Sequence, residues 1–272
     1  MGRGGTEKVT GTVTKALIPC GGKGTRMATL THGGAKELLP IGGKPQVLRV
    51  MEECAASGIT DVLIVSAPGK TDLERVARDA AGSSGMPARV DVVVQENPRG
   101  LADAIRLGRH FAGQSSMGVA LPDNLFIGDR PALQQLIDVH SSTGKSVVAI
   151  VELTEANRER YGPTAIYPGH VEGHEFVIER IPDKGPKSKT FDLGGARSAF
   201  TGVGRYVFLP EVFSTIDAVD ATLPKGRELD DIPVMQRLLA AGRLTGCLVR
   251  GDFLDIGLPS GYLEADTRFR SA

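Results

Sequence analysis

Apolar residues along the chain fall into two arrangements. Continuous runs stand at residues 15–19 (KALIP), 61–66 (DVLIVS), 117–121 (MGVAL) and 146–153 (SVVAIVEL), with a further β-branched run at 89–95 (RVDVVVQ). Short apolar runs of this kind predict strands buried on both faces. Between them the apolar positions take a helical spacing. Val47, Val50, Met51, Cys54 and Ala55 predict a helix over 46–57, with Gly58 in the usual C-terminal place. Helices are predicted likewise over 73–81, 101–111 and 131–141, the last with Pro131 suited to a first turn.

After residue 153 the regularity drops. Residues 161–189 are rich in Gly, Pro and charge, interrupted by a strand-like 175–181. Further on, 201–209 reads as a strand, 231–241 as a helix and 248–255 as a strand ending in an acid. The alternation predicts an α/β fold: a mostly parallel, Rossmann-like mixed sheet flanked by helices. Such sheets bind ligands beyond the carboxyl ends of their strands, so the segments that follow each strand carry the search for function. A single unit is expected over 15–272, with a more irregular lobe at about 155–230. Residues 1–14, Gly- and Thr-rich, read as a flexible leader.

Composition narrows the classes. The chain has 272 residues, 41% hydrophobic, which suffices for one substantial core. Its 32 basic and 32 acidic residues cancel, so no net field holds it on nucleic acid or an anionic membrane. No apolar run is long enough to span a bilayer, and the N-terminus lacks the apolar centre of a signal peptide. Cys20, Cys54 and Cys247 lie far apart in apolar surroundings without metal-ligand spacing, and read as buried free thiols of a cytoplasmic protein.

The candidate chemistry begins just after the first strand. Gly21, Gly22 and Gly24 let backbone N–H groups approach phosphate oxygens, Thr25 adds a hydroxyl, and Lys23 and Arg26 add charge. The P-loop pattern is absent. A dinucleotide fingerprint starts at Gly22 and Gly24 but meets Met27 where its third glycine belongs, which argues against a nicotinamide dehydrogenase. A second cluster follows: Lys36-Glu37-Leu38-Leu39-Pro40, then Lys44-Pro45. Two strand-like runs end in acids, at Asp123 after Leu121-Pro122 and at Asp255 within Phe253-Leu254-Asp255-Ile256-Gly257, with Asp252 a chemically similar neighbour. A carboxylate ending a buried strand calls for a cationic partner.

Together, Gly22-Lys23-Gly24-Thr25-Arg26-Met27, the KELLP cluster and Lys44-Pro45 resemble the opening signature of the sugar-nucleotide pyrophosphorylases. The likeness is nearest to the bacterial UTP–glucose-1-phosphate uridylyltransferases, with the thymidylyltransferases second, and it extends over about 15–265. Ala35, where the uridylyltransferases usually have proline, and Lys23, often apolar in them, are departures. The resemblance implies a nucleotidyltransferase that makes an NDP-sugar and pyrophosphate from an NTP (UTP or dTTP) and a sugar 1-phosphate. It places the catalytic roles on Arg26 and Lys36, the triphosphate on Gly21, Gly22, Gly24 and Thr25, and Mg2+ on Asp123 and Asp255. Gln95, whose amide can pair with a pyrimidine edge, and Gly100 resemble the base-reading segment. On the sugar side it points to Gly162, Glu179, Arg180, Gly204 and Glu228. Arg180 stands where the family carries lysine, a change from a point charge to a planar fork. Arg180 and residues 192–197 (DLGGAR) keep open an acceptor other than glucose 1-phosphate, including a cyclitol phosphate. A catalytically idle nucleotide-sugar sensor or scaffold is the alternative of a different class, opposed by the intact set Arg26, Lys36, Asp123 and Asp255. The family also carries the expectation of a homo-oligomer.

Overall fold

The structure, a computed structural model, describes residues 12–22, 27–31, 33–153, 166–183 and 199–271. The first half alternates strand and helix. Strand β1 (Lys15–Pro19) is followed by the short α1 (Ala28–Thr31), a small hairpin of β2 (Pro40–Ile41) and β3 (Lys44–Pro45), and α2 (Gln46–Ala56). Then come β4 (Asp61–Ser66), α3 (Thr71–Ala80), β5 (Arg89–Val94), α4 (Leu101–Arg106), α5 (Arg109–Ala112), β6 (Met117–Ala120), β7 (Asn124–Ile127), α6 (Ala132–Thr143) and β8 (Ser146–Leu153). The second half adds β9 (Tyr167–Glu172), β10 (Glu175–Arg180), β11 (Ala199–Phe208), α7 (Val212–Asp220), α8 (Asp231–Ala240), β12 (Leu244–Leu248), β13 (Asp252–Asp255) and α9 (Pro259–Ser271).

A nine-stranded sheet runs in the order β5-β4-β1-β6-β11-β8-β12-β10-β9. The pairings β1–β4, β1–β6, β4–β5 and β8–β12 are parallel, whereas β11 and β10 are antiparallel to both of their neighbours. All the other strands therefore point one way, as a mostly parallel mixed sheet. The period-2 geometry of strands splits each apolar run between two cores. Ala16 and Ile18, Val62 and Ile64, and Val147, Ala149 and Val151 pack with α2, α3 and α6. Leu17, Leu63 and Val65, and Val148 and Ile150 pack on the opposite face with α4, α7 and α8. This is why those runs contain no alternating polar positions.

The structure corrects two expectations. The stretch 101–111 is two short helices, broken at Leu107-Gly108; a glycine in a helix interior costs about 1 kcal/mol relative to alanine. The stretch 248–255 is not one strand. β12 ends at Leu248, and β13 pairs with β7 in a separate two-stranded sheet. Buried Gln135 of α6 causes the detour by holding both backbone groups of Arg250: Arg250 N–H donates to its Oε1 at 2.9 Å, and its Nε2 donates to Arg250 O at 3.1 Å. Cys20, Cys54 and Cys247 are buried free thiols. Among the described residues no helix is long and apolar enough to cross a membrane.

Candidate active site

A cavity of about 700 Å³ opens at the carboxyl ends of β1, β5 and β6 and is bounded by the middle of β11 and the segment entering α8. Its walls include Gly21, Gly22, Lys36, Gln95, Gly100, Asp123, Gly204 and Glu228. These residues span most of the sequence, and the crossovers of the sheet bring them to one place. Gly24, Thr25, Arg26 and Gly162 lie outside the described residues. Glu179 and Arg180, exposed on β10, are not among the lining residues, although Ile181 next to them is. Glu228 is exposed at the rim.

At the end next to β1, the backbone of the glycine turn is tied down from below. Cys20 N–H donates to Val65 O at 2.7 Å. Lys70, just before α3, donates to Cys20 O at 2.6 Å, to Gly22 O at 2.9 Å and to Glu37 Oε2 at 2.9 Å. Glu37 is fully buried against the cavity, and its Oε1 has no hydrogen-bond partner among the described residues. Lys36, which opens the same 3-10 turn, points its ammonium at Asp123 Oδ2, 2.9 Å away. Burial alone would lower its pKa, but the charge and hydrogen bond of Asp123, joined by Glu37, outweigh that and hold it above the ordinary lysine value. It remains a full positive charge.

Asp123 is positioned by its backbone neighbours. Gln46 Nε2 donates to Pro122 O at 2.6 Å, and Leu121 N–H donates to Gly204 O at 2.8 Å. Arg205, fully buried, donates from Nη1 to Leu121 O at 3.0 Å and to Gly204 O at 2.9 Å, and closes a two-pronged pair with Glu53 of α2 at 3.0 and 2.7 Å. Gly204 N–H donates to Asn124 Oδ1 at 3.0 Å, and a Cβ on Gly204 would stand 2.6 Å from Leu121 Cβ. The backbones of β11 and the Leu121–Asp123 turn therefore touch only because residue 204 has no side chain. Asp255 arrives through the small sheet: it pairs with Asn124, and Ile256 N–H donates to Asp123 O at 2.9 Å. One of its carboxylate oxygens accepts from Gly257 N–H at 2.8 Å. Asp252 instead pairs with Arg268 of α9 at 2.8 Å on the exposed side.

At the opposite end, Gln95 is buried and donates from Nε2 to Asp103 Oδ2 at 2.7 Å. Gly100 has φ +132°, a conformation that L side chains rarely adopt, and a Cβ there would collide with the backbone of Leu229. Leu229 N–H donates to Arg99 O at 2.6 Å and Ala102 N–H to Leu229 O at 3.0 Å, so the segment carrying Glu228 lies directly on Gly100. Tyr206 donates to Asp231 Oδ2 at 2.7 Å beneath it, and Asp230 caps α8 through Asp231 N–H at 3.0 Å.

The match to known sequences agrees with this arrangement. The family described as Nucleotidyl transferase matches residues 15–271. The chain belongs to the nucleotidyl transferase family. A Bacillus subtilis (strain 168) protein, named provisionally as a UTP–glucose-1-phosphate uridylyltransferase, is 33% identical over 93% of this chain and 95% of its own length. UTP–glucose-1-phosphate uridylyltransferase 2 of Staphylococcus saprophyticus is 30% identical over 94% of this chain and 92% of its own. A crystal structure of UDP-glucose pyrophosphorylase complexed with UDP-glucose superposes with a TM-score of 0.80 at 25% identity, covering 95% of this chain and 99% of that one.

For a nucleotidyl transferase the donor set at Asp123 and Asp255 is chemically suited to a divalent cation. Among the described residues no group of three or more His, Cys, Asp or Glu side chains is placed to hold a metal ion by itself. Magnesium does not need one: one or two carboxylates suffice when phosphate oxygens and water complete its shell. Asp123 lines the cavity, and among the described residues no donor reaches its Oδ1. Several residues of this site carry no sequence signal of their own. Glu37 stands inside a recognised motif, but Lys70, Asp103 and the Glu53–Arg205 pair act through contacts across the fold. The one hint is a charge set inside an apolar strand, as Arg205 is in TGVGRYVFL.

Proposed function

We propose that this chain transfers the uridylyl group of UTP to glucose 1-phosphate, releasing pyrophosphate and forming UDP-glucose. The observation that carries the reading is the single cavity that gathers a glycine turn, Lys36, Asp123, Gln95, Gly100 and Gly204 at the carboxyl end of the sheet. The names of the relative from Staphylococcus saprophyticus and of the neighbouring crystal structure support the choice of UTP and glucose 1-phosphate. The unit that does this is residues 15–272, with 155–230 on the sugar side.

The base lies at Gln95 and Gly100, and the triphosphate extends over Gly21 and Gly22 towards Lys36, with Gly24, Thr25 and Arg26 completing the loop. A sugar-phosphate oxygen attacks the α-phosphorus in line. The new O–P bond forms as the bond to the bridging oxygen of pyrophosphate breaks, and the electron pair leaves with the pyrophosphate. No proton is moved and no covalent enzyme intermediate is required. Asp123 and Asp255 would hold Mg2+, which supplies positive charge to the phosphate oxygens. Lys36 exchanges its Asp123 partner for a phosphate oxygen, and Arg26 holds the phosphates being cleaved. Catalysis is then positioning and charge neutralisation. Gly204, which lines the cavity, lies under the sugar ring. Glu179, Arg180, Gly162 and Glu228 are assigned to the sugar on resemblance, and the first two would have to reach inward from exposed positions on β10. Uracil and thymine share the edge that Gln95 can read, so dTTP is the second donor to try. Residence in the cytoplasm and assembly as a homo-oligomer belong to the same reading.

Pyrophosphate release measured with UTP, dTTP, CTP, ATP and GTP, each with glucose 1-phosphate and Mg2+, tests the reading. Turnover with UTP that is lost in Asp123→Ala supports it. Silence with every nucleotide and every sugar phosphate tried, despite intact nucleotide binding, would favour the sensor.

A further inference from the structure

The two ends of the Gln95 amide differ chemically, and its neighbours decide which end meets the nucleobase. Asp103 Oδ2 accepts from Gln95 Nε2 at 2.7 Å. Its Oδ1 accepts from Arg99 Nη2 at 3.0 Å and from Arg106 Nη2 at 2.6 Å. Both arginines are themselves held by Asp220: Arg99 through Nη1 at 3.1 Å and Nη2 at 3.0 Å, Arg106 through Nη1 at 2.8 Å. The Asp103 side chain is buried. Both of its oxygens accept from donors, Oδ1 from two guanidinium groups, and a carboxylate so paired can only accept hydrogen bonds. The amide of Gln95 must therefore present nitrogen to Asp103, which turns Oε1 the other way. Oε1 faces Gly21, where a Cβ would stand 2.6 Å from it, and both residues line the cavity. Among the described residues nothing donates to Oε1.

We propose that Asp103 is a positioning residue for base selection: clamped by Arg99 and Arg106, it locks the Gln95 amide with its carbonyl towards the nucleobase. The site then takes a base that offers an N–H donor at N3, uracil or thymine, and rejects cytosine, whose N3 is an acceptor. The inference rests on the assignment of Gln95 to the base made above. Without the lock the amide can rotate by half a turn and offer Nε2 to cytosine instead.

The test compares kcat/KM for UTP and CTP, each with glucose 1-phosphate, in the wild type, Asp103→Asn, and the double variant Asp103→Asn/Gln95→Glu. In the single variant the introduced amide accepts either end of Gln95, and the UTP-over-CTP preference falls roughly 10- to 100-fold. In the double variant the introduced asparagine donates to one oxygen of the introduced glutamate, whose other oxygen faces the base, and the preference returns. A purely structural role for Asp103 predicts no such restoration. An unchanged ratio in Asp103→Asn overturns the positioning role and leaves uridylyl transfer standing. A wild type that prefers CTP overturns both. Should the single variant fail to fold, Asp103→Ser decides: its hydroxyl can donate to or accept from either end of the Gln95 amide, so a fall in the UTP-over-CTP preference supports the lock and an unchanged ratio overturns it.

Discussion

Replacing Arg205 by methionine would remove the strut beneath Asp123. Arg205 is fully buried and makes four hydrogen bonds: two to the Glu53 carboxylate and one each to the carbonyls of Leu121 and Gly204. Burial alone would lower its pKa, but Glu53 holds it above the usual arginine value, so it is charged at any working pH. The substitution strands the Glu53 carboxylate, whose only other partner among the described residues is Leu133 N–H at 3.2 Å, and removes one donor each from the carbonyls of Leu121 and Gly204. Losing one member of a buried ion pair costs about 3–5 kcal/mol, and the two lost carbonyl bonds overlap with that figure rather than add to it. For a chain of this size the melting temperature should fall by roughly 6–20 °C. Thermal and urea unfolding check this. Because Leu121 is anchored by the same guanidinium, kcat should fall as well in the fraction that remains folded. Replacing both members, Glu53→Leu with Arg205→Met, should recover more than half of the lost stability, since no stranded charge remains. An Arg205→Met protein melting within about 2 °C of wild type, or a double variant as unstable as the two singles combined, would refute the reasoning.

Further expectations concern the site and the core. Lys36→Met should lower kcat by roughly 100- to 1,000-fold, the scale of losing one preorganised charge at a transition state. Because Asp123 holds the Lys36 pKa above its ordinary value, the ion pair stabilises the fold fully below about pH 10.4 and is lost as pH rises through the higher folded value. The stability gap between wild type and Lys36→Met should therefore stay constant from neutral pH upwards and close only above that point, which urea unfolding across pH reads directly. Gly100→Ala should destabilise by about 2 kcal/mol and raise the KM for nucleotide, since it combines a strained φ with a backbone collision at Leu229. A KM within twofold of wild type would remove Gly100 from the nucleotide site. Burial pushes the thiols of Cys54 and Cys247 up to about 12, and raises that of Cys20 well above its ordinary value. Ellman's reagent at pH 8 should therefore label none of the three quickly in the native protein and all of them after guanidinium unfolding.

The central strands were legible because a strand covered on both faces must be apolar at every position. Lys15–Pro19, Asp61–Ser66 and Ser146–Leu153 carry that signature, and the structure places their boundaries where the runs begin and end. The helix over Gln46–Ala56 was legible from one apolar stripe. The second half was legible only in part: the strands read at 175–181 and 201–209 and the helix at 231–241 are β10, β11 and α8. The run from Leu248 to Asp255 looks like one strand, and only the distant Gln135, 115 positions earlier in sequence, diverts it into two sheets. β7 and helices α7 and α9 went unanticipated. In the site, Lys36, Asp123, Gln95 and Gly204 stood at strand ends or inside a recognisable motif, where local chemistry points to function. Asp103 and the Glu53–Arg205 pair did not. No periodicity tells which carboxylate meets which guanidinium across 152 residues, and Asp103 sits on α4 among alanines like any helix-surface acid.

The most direct test of the central claim follows both products at once. Phosphorus NMR of UTP, glucose 1-phosphate and Mg2+ with the wild-type chain should show UDP-glucose and pyrophosphate rising together in equal amounts, with neither formed when glucose 1-phosphate is omitted or when Asp123 is replaced by alanine. Pyrophosphate or phosphate appearing without UDP-glucose, or undiminished turnover in Asp123→Ala, would contradict it.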